Sequence, residues 1–325
     1  MIFCPYLVRD INFEPDAIQP CCNIRNIQIP RFLFQGGKVA MSEYCTYIEK
    51  IFNLLQDGNI CNGCPELTVV DVENSANLNI LFHTVSLNMH RWFCNCKCIY
   101  CDFHKQKLPA YSILPAIKSL YAQHVLHKNC FFSWGGGEST ILREFEDAAI
   151  LIYNYGFKQY IHTNALHYSH AVAALLEKCS AGVNISLDSG SQKTYKIVKG
   201  IDGFQRVTAN IGKYIAASKN KENVVIKYII FNANNSRKEI VEFFALCKCM
   251  GIENVEFSFD FREVNSGTIA NESLHAAILF IQLADRLKIK CSPFFVDDKI
   301  IAMMENIVGI TQPPPSQTGF QDTRL

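Results

Sequence analysis

Residues 183–189 read VNISLDS, and the pattern FQRVTANIGKYIAAS follows at residues 204–218. The first segment is short and alternates apolar with polar residues, as a β-strand does. The second segment repeats apolar residues at helical spacing and is long enough for four turns. A strand followed by a helix is the repeating unit of parallel α/β proteins, so this stretch predicts an α/β fold.

The same order of strand and helix recurs along the chain from about residue 67. Six strand-like runs begin at residues 79, 130, 159, 183, 224 and 254, and a helical pattern follows each of them. We therefore expect a parallel sheet arranged as a partial (β/α)6 TIM-like barrel, with an open doubly wound sheet as the alternative. The preceding region, rich in cysteine, predicts one helix at about residues 41–56.

These patterns divide the chain into three parts. We expect a cysteine-rich segment at residues 1–66, the (β/α)6 core at residues 67–296 and a C-terminal tail at residues 297–325. The end of the tail, TQPPPSQTGFQDTRL, has the composition of a chain without regular structure.

Composition and charge exclude several classes of function. Of the 325 residues, 49% are apolar and 19% are charged, and the formal net charge is +1, so the sequence predicts no general attraction to nucleic acid or to anionic membranes. No apolar run is long enough to span a bilayer, and the N-terminus lacks a secretory pattern. We expect a cytoplasmic protein, in which the functional cysteines among the 15 are metal ligands or catalytic thiols rather than disulfides.

Four of these cysteines lie within one short segment, FCNCKCIYCDFH, residues 93–104. Cys94, Cys98 and Cys101 have the spacing C-x3-C-x2-C, and Cys96 lies between them. Three thiolates on a [4Fe–4S] cluster leave one iron open to another ligand, whereas a closed zinc site needs a fourth ligand such as Cys96 or His104. The segment also follows the first predicted strand, at the end of a parallel sheet where active sites form.

The cysteine motif and a second motif together resemble the radical S-adenosylmethionine (radical SAM) superfamily. The second motif is SWGGGEST, residues 133–140, which follows the second predicted strand. The resemblance extends over roughly residues 78–262. It implies that Cys94, Cys98 and Cys101 bind a [4Fe–4S] cluster whose open iron binds S-adenosylmethionine (SAM), with Cys96 as a bystander.

The resemblance also assigns cofactor contacts. Tyr100 is expected near the adenine, the glycines near the methionine end, and Glu138 at the methionine amino group. Three polar residues are expected at the ribose or methionine. The complete set is Tyr100, Gly135, Gly136, Gly137, Glu138, Asn164, Ser186 and Asp188. No catalytic residue is assigned, and Asp188 has the alternative role of capping the helix that follows it.

The cysteine-rich segment resembles the auxiliary-cluster module called SPASM, or its shorter twitch form. In this interpretation INFEPDAIQPC, residues 11–21, is a hairpin that precedes a cysteine, and a C-x2-C follows later. The resemblance implies a second [4Fe–4S] cluster, although here the module precedes the barrel and Ala17 replaces the usual turn glycine. Zinc at the same cysteines is the alternative. The implied ligands are Cys4, Cys21 (or its neighbour Cys22), Cys61 and Cys64.

The resemblance implies a radical SAM enzyme that cleaves SAM reductively and abstracts a hydrogen from a polar substrate, with a small molecule or a sugar favoured. Dehydrogenation, epimerisation and bond formation all remain open as outcomes, and an electron donor such as flavodoxin or ferredoxin is implied. The alternatives are a maturase that modifies ribosomal peptides and a non-catalytic zinc-binding interaction protein. Four polar residues that alternate along one strand are expected either to contact substrate or to form salt bridges: Glu256, Ser258, Asp260 and Arg262.

Overall fold

The computed structural model describes residues 1–21, 29–64, 66–69, 80–103 and 110–308. Its chain divides into two compact units. The first comprises residues 1–93 and 106–160, and the second comprises residues 94–105 and 161–325. The predicted end of the C-terminal tail and Cys22 lie outside the described residues.

The first unit is built on a mixed sheet with the strand order β7-β6-β2-β3-β4, and β1 and β5 form a separate antiparallel pair. Within the sheet β6 is parallel to both β7 and β2, whereas β3 is antiparallel to β2 and to β4. The strands are β1 (Ile2–Phe3), β2 (Asp10–Phe13), β3 (Ala17–Gln19), β4 (Phe32–Leu33), β5 (Thr68–Val69), β6 (Phe82–Leu87) and β7 (Leu126–Trp134). The helices are α1 (Tyr6–Arg9), α2 (Met41–Gln56), α3 (Leu114–Ala122) and α4 (Phe145–Asn154).

The N-terminal segment contributes a parallel strand to this sheet, which the sequence did not predict. All four residues of β2 are buried, and Ile11 is the partner of Val85 in β6. The hairpin predicted at residues 11–21 is present with β2 and β3 as its strands: the amide of Glu14 donates to the carbonyl of Ala17 at 2.8 Å. The predicted helix at residues 41–56 is also present as α2, because Tyr44, Ile48 and Leu55 form its buried stripe.

The second unit is an α/β layer of parallel strands with the order β12-β11-β10-β9, and β8 lies beside β9. β8 (Lys158–Thr163) begins in the first unit and ends in the second. The other strands are β9 (Ala181–Ser186), β10 (Val224–Ile230), β11 (Asn254–Phe259) and β12 (Lys290–Pro293). The helices are α5 (His170–Glu177), α6 (Gln192–Lys199), α7 (Phe204–Ala217), α8 (Arg237–Met250), α9 (Phe261–Ser266), α10 (Asn271–Leu287) and α11 (Asp298–Val308).

The six predicted strand–helix pairs are all present, and the fold class is α/β with a large parallel component, as predicted. β2 and β12 also pair in parallel with their neighbours β6 and β11, which the sequence did not predict. Helix α11 lies in the segment that the sequence assigned to the tail. No helix among the described residues is long and apolar enough to cross a membrane.

Candidate active site

The cysteine loop, residues 94–103, docks on the carboxyl end of α6 within the second unit. The amide of Lys97 donates to the carbonyl of Lys199, and the amide of Ile99 donates to the carbonyl of Val198, both at 3.0 Å. Gly200, which follows α6 at φ 65°, is close to this contact: a Cβ atom there would lie 2.6 Å from the carbonyl oxygen of Lys97. The loop is thus held by backbone groups at a position that needs a glycine.

The thiols of the loop lie close together and are hydrogen-bonded. The Sγ atom of Cys94 accepts from the amide of Cys96 at 3.4 Å and from Nδ2 of Asn164 at 3.8 Å. Cys96 is buried, and its thiol is hydrogen-bonded to the sulfur atoms of both Cys94 and Cys98. N–H···S bonds of this kind stabilise a thiolate ligand, so the donor set fits an iron–sulfur cluster.

The pKa of Cys98 is lowered to about 6. The hydrogen bond from Cys96 is the main cause, and the charge of Lys199 adds to it against the opposing effect of burial. The same hydrogen bonds, together with burial, raise the pKa of Cys96. Burial also raises the pKa of Cys101, and the nearby Cys98 and Cys94 add to this shift. Of these three thiols, Cys98 is therefore the one most readily deprotonated.

Next to the loop lies a network of hydrogen bonds centred on Asp188, which is fully buried. Its carboxylate forms an ion pair with the buried Lys199 and accepts from Tyr100 Oη at 2.6 Å. It also accepts from Ser186 Oγ and from the amide of Ile229, each at 2.7 Å. Burial raises the pKa of Asp188, but Lys199 and the other donors hold that pKa below its usual value. The network ties β9, α6 and the cysteine loop together.

Asp188 does not cap the next helix, so that alternative is wrong. Ser191 is the N-cap of α6, and its Oγ accepts from the amide of Thr194 at 3.3 Å. Asp188 instead adopts a left-handed conformation at φ 57°, and its carbonyl accepts from Asn234 Nδ2 at 2.9 Å. A non-glycine residue in this region is held there by its surroundings.

Asn164, the remaining polar residue expected at the cofactor, contacts the cysteine loop directly. Besides its contact with Cys94, its Nδ2 donates to Asn95 Oδ1 at 2.7 Å. Its Oδ1 accepts from the amide of Leu166 at 3.0 Å. Of the predicted site residues, the second unit therefore brings together the three cysteines, Tyr100, Asn164, Ser186 and Asp188.

The glycine motif lies in the first unit, after β7. Each glycine packs against residues 88–93: a Cβ atom would lie 2.7 Å from Asn88 Oδ1 at Gly135 and 2.2 Å from the Phe93 carbonyl oxygen at Gly137. Gly136 has φ 85°, which favours glycine. The glycines are thus required for the loop to pack, and the cofactor contact expected of them remains a prediction.

Glu138 follows the glycines and is buried. Its Oε1 accepts from Thr140 Oγ1 at 2.7 Å and from the amide of Thr140 at 3.3 Å, so it caps the short 3-10 helix Ser139–Ile141. Its own amide donates to the carbonyl of Phe93 at 2.7 Å. Its expected contact with the methionine amino group likewise stays a prediction.

The N-terminal cysteines come together in part. The pairing of β1 with β5 places Cys4 near the C-x2-C turn, where the amide of Cys64 donates to the carbonyl of Cys61 at 3.0 Å. Burial raises the pKa of Cys4 to about 11, and the neighbouring thiols Cys61 and Cys64 contribute. Cys21 is half-buried and follows β3 of the hairpin.

Within the described ranges, no group of three or more His, Cys, Asp or Glu side chains is arranged to hold a single metal ion. Cys22 and His104 lie outside these ranges, so the choice between zinc and an iron–sulfur cluster stays a prediction for both cysteine groups.

A polar row crosses the second unit beside this network. Parallel pairing aligns Ser186 of β9 with Lys227 of β10, Lys227 with Glu256 of β11, and Glu256 with Ser292 of β12. We call these four residues the polar row. The Lys227 ammonium lies 3.1 Å from Glu256 Oε1 and 3.8 Å from the centroid of the Phe294 ring.

This row faces the less tightly packed side of the sheet. The side chains of Lys227 and Glu256 are 10% and 13% exposed, whereas Ile226 and Val255, which point the other way, are fully buried. Burial lowers the pKa of Lys227 although Glu256 opposes that shift. Such a pair is costly to desolvate, so it is weak evidence for a contribution to stability.

The salt-bridge alternative holds for three of the four residues predicted along one strand, but only Glu256 and Ser258 lie on β11, because the strand ends at Phe259 and α9 begins at Phe261. Glu256 pairs with Lys227, and Arg262 pairs with Asp260 through two nitrogen atoms. Asp260 also caps α9, because its Oδ1 accepts from the amide of Arg262 at 2.9 Å. Ser258 is buried, and its Oγ has no hydrogen-bond partner among the described residues.

Sequence reasoning missed Lys199 and Lys227, both central to the second unit. Lys227 could have been found, since a lysine in the middle of VVIKYIIF interrupts an otherwise apolar strand. Lys199 gave no such signal, because a lysine at the end of a helix is usually solvated.

The search of curated proteins found no match to this sequence. Among solved structures, the chain is similar to Streptococcus suis SuiB bound to the precursor peptide SuiA, with 13% identity, a TM-score of 0.54 and coverage of 94% of this chain and 75% of that one. SuiB bound to S-adenosylmethionine matches at 13% identity and a TM-score of 0.52, covering 81% of this chain and 56% of that one. Native anSMEcpe with bound AdoMet and the Cp18Cys peptide matches at 18% identity and a TM-score of 0.50, covering 64% of this chain and 62% of that one.

These similarities show a shared fold, and the chain spans only 56% of the length of SuiB in its complex with S-adenosylmethionine. The sequence model of the Radical SAM superfamily matches residues 92–247, which include the cysteine loop, the glycine motif, Asp188 and Lys199. Over these residues, slightly less than half of the chain, the sequence is therefore similar to the Radical SAM superfamily.

Proposed function

We propose that this protein cleaves SAM reductively at a [4Fe–4S] cluster held by Cys94, Cys98 and Cys101, and that it removes a hydrogen atom from a polar substrate. The observation that carries the proposal is the hydrogen-bonded thiol group of the cysteine loop, anchored to α6 and to the Asp188 network. Cys94, Cys98 and Cys101 would hold the cluster, which when bound would supply the one-electron chemistry that cleaves SAM and removes the hydrogen atom from the substrate. The electron comes from a low-potential donor of the flavodoxin or ferredoxin class.

The chain's own residues position the cofactors. Asn164 and the amide of Cys96 orient the sulfur of Cys94. Asp188 orients Tyr100 and Ser186, because its carboxylate accepts a hydrogen bond from each of them. Tyr100 is held with its ring against Phe231, at a centroid distance of 5.6 Å, and we propose that its other side lies near the adenine.

The test is reconstitution of the full chain with iron and sulfide under anaerobic conditions, followed by addition of SAM and dithionite. The wild-type protein should release 5′-deoxyadenosine, and Cys98→Ala should not. Cys249→Ala is the matched control, because Cys249 is exposed on α8. Absence of 5′-deoxyadenosine from wild-type protein with full iron content contradicts the proposal.

The polar row supports a small polar molecule or a sugar as the substrate. Its four residues carry no net charge and offer both donors and acceptors, which suits a neutral ligand with several hydroxyl groups. A panel of sugars and nucleosides is screened for a substrate that increases 5′-deoxyadenosine release. Glu256→Gln should remove that increase and leave the basal release unchanged, whereas Glu253→Gln, on the exposed side, should keep both.

A peptide substrate is the second candidate. Two of the similar structures hold a peptide, SuiB with SuiA and anSMEcpe with Cp18Cys. In this chain Phe261 and Phe295 are exposed and pack edge to face with ring centroids 5.0 Å apart, as an anchoring site for an apolar side chain would. Stimulation of 5′-deoxyadenosine release by unstructured peptides, and not by the sugar panel, would favour this candidate.

We further propose that Cys4, Cys21, Cys61 and Cys64 hold a second [4Fe–4S] cluster. The proximity of Cys4 to Cys61 and Cys64 supports it, as does the predicted hairpin that precedes Cys21. Two clusters correspond to about eight irons per chain and one cluster to about four. Zinc in place of iron, at about two ions per chain, would favour the non-catalytic interaction protein instead.

A further inference from the structure

Helix α6 is buried on one side, and its other side is open to solvent beside the cysteine loop. Tyr195, Val198 and Lys199 are its buried residues. Lys193 and Ile197, which are four residues apart and so share a face, are both exposed. Ile197 is 50% exposed, although a large apolar residue of an amphipathic helix usually packs against the core. The helix therefore presents an apolar side chain together with a charge.

The cysteine loop places a second exposed isoleucine next to the first. Ile99 is 46% exposed, and its amide donates to the carbonyl of Val198, the neighbour of Ile197, at 3.0 Å. Lys97 is also exposed, and its amide donates to the carbonyl of Lys199 at 3.0 Å. Loop and helix thus form one continuous surface. We call its exposed residues the loop–helix surface: Lys97, Ile99, Lys193, Lys196 and Ile197.

The loop–helix surface is basic. Two of its three lysines flank the isoleucines without an ion pair to the described residues, whereas the Nζ atom of Lys196 lies 3.3 Å from Asp202. The exposed carboxylate of Asp102, also in the cysteine loop, interacts electrostatically with Arg262. Three lysines and one aspartate leave the surface with a net positive charge, although the charges of the whole chain nearly balance.

The position of this surface indicates what binds to it. Cys98, one of the three proposed cluster ligands, lies between Lys97 and Ile99 in the chain. Electron transfer between proteins slows steeply as the distance between their redox centres grows, so an electron donor must approach the cluster closely. Complexes of this kind are weak and need only a small contact area, with an apolar centre and a charged rim. The loop–helix surface has this composition.

We propose that the loop–helix surface is the docking site of the electron donor, an acidic carrier protein of the flavodoxin or ferredoxin class. This inference rests on the proposed function, because the donor reduces the cluster that the loop holds. One electron leaves the donor, which is oxidised, and the cluster is reduced by it; no atom is transferred. The isoleucines contact the donor beside its redox group, and the lysines attract its carboxylates and steer the encounter.

The test measures release of 5′-deoxyadenosine by the reconstituted full chain with two electron sources. Reduced flavodoxin must dock, whereas dithionite at a saturating concentration need not. At low salt, Lys193→Glu should lower the flavodoxin-driven rate about fivefold and leave the dithionite-driven rate unchanged. Lys238→Glu is the matched control, because exposed Lys238 is likewise the second residue of a helix with a serine N-cap. A glutamate near a helix N-terminus is favourable, so neither variant should lose stability.

The apolar centre of the surface is tested separately. Ile197→Ala should raise the KM for flavodoxin about threefold, because a buried aliphatic contact is lost. Val241→Ala, at a residue 44% exposed on α8, is the control and should keep the wild-type KM. Added salt should slow the flavodoxin-driven rate of the wild type more than that of Lys193→Glu, because it screens the attraction.

Binding without turnover gives an independent readout. Biolayer interferometry of oxidised flavodoxin on the reconstituted chain, without SAM, should show weaker binding to Lys193→Glu than to the wild type or Lys238→Glu. Equal flavodoxin-driven rates in the two lysine variants, or an equal loss with dithionite in Lys193→Glu, overturn the inference and leave the proposed function standing. So does a wild type that works with dithionite but with neither reduced flavodoxin nor reduced ferredoxin. A wild type that releases no 5′-deoxyadenosine with any electron source overturns both.

Discussion

At the residue scale, the ion pair of Asp188 and Lys199 has the largest expected effect on stability. Both side chains are buried, at 0% and 1% exposure, and the pair is joined by Tyr100 and Ser186. Removing one member of a buried, hydrogen-bonded pair leaves an uncompensated charge. The pair connects the end of β9 with the end of α6, so its loss is expected to loosen the cysteine loop as well.

Replacing Lys199 by methionine should lower the free energy of unfolding by about 3–5 kcal/mol, as expected when one partner of a buried pair is lost. Chemical denaturation of the metal-free protein measures the change. Lys238→Met, at an exposed lysine on α8, is the control and should change little. The double variant Lys199→Met/Asp188→Asn should recover part of the loss, and no recovery would argue against an uncompensated charge as the cause.

His90 gives a prediction about pH. Burial, with the neighbouring Arg91, lowers the pKa of His90 to about 3, and neither ring nitrogen has a hydrogen-bond partner among the described residues. The unfolded chain takes up a proton at this side chain near its usual pKa of about 6.5, whereas the folded chain does not. Neutral His90 therefore makes its full contribution to stability above about pH 6.5. This contribution decreases as the pH is lowered from about 6.5 to about 3.

The measurement is the free energy of unfolding between pH 7.5 and pH 5. His90 should contribute a loss of about 1.4 kcal/mol per pH unit below its unfolded pKa. His90→Phe should reduce the slope by that amount whatever its effect on stability at pH 7.5. His275→Phe, at an exposed histidine, should keep the wild-type slope. Equal slopes for the wild type and His90→Phe would contradict the buried, neutral state.

At the element scale, α6 and the cysteine loop form one assembly, and Gly200 is its tightest point. Replacing Gly200 by alanine places a Cβ atom 2.6 Å from the carbonyl oxygen of Lys97, where the backbone must move. Gly251, at the end of α8, has a similar φ of 67° but open space around it. Comparing alanine substitutions at the two glycines therefore separates the cost of a positive φ from the cost of the steric contact with Lys97.

Gly251→Ala should cost about 1 kcal/mol, the usual penalty for a left-handed residue with a side chain. Gly200→Ala should cost more and should also reduce the iron bound per chain, because it displaces the loop. Denaturation and iron analysis of the two variants check this. Equal stability and equal iron in both would show that the contact of Lys97 with Gly200 does not hold the loop.

The sequence predicted the elements with strong periodicity and missed the short or polar ones. The six strand–helix pairs and α2 carry long apolar patterns, so their positions were predictable. β2 was predicted only as a strand of the hairpin, and its parallel pairing with β6 was missed because the two strands are distant in sequence. α6 was missed because QKTYKIVK is largely polar, although its buried residues Tyr195, Val198 and Lys199 organise the site. Contacts between distant segments, such as Lys199 with Asp188, leave no local pattern.

At the scale of the whole molecule, the number of clusters is the main prediction. Cys61→Ala should bring the iron content from about eight to about four per chain and leave SAM cleavage by the cysteine loop in place. Cys45→Ala, on α2 outside both ligand sets, is the control and should keep the wild-type iron. Full iron in Cys61→Ala would contradict the N-terminal ligand assignment.

The central claim is that three thiolates of the cysteine loop leave one iron of a cluster open to SAM. The most direct measurement is the EPR spectrum of the reduced, reconstituted protein before and after addition of SAM. The account predicts a reduced [4Fe–4S] signal that changes on addition of SAM, and the loss of this response in Cys98→Ala. A protein that binds zinc instead of iron, or a wild-type cluster signal that SAM leaves unchanged, would contradict it.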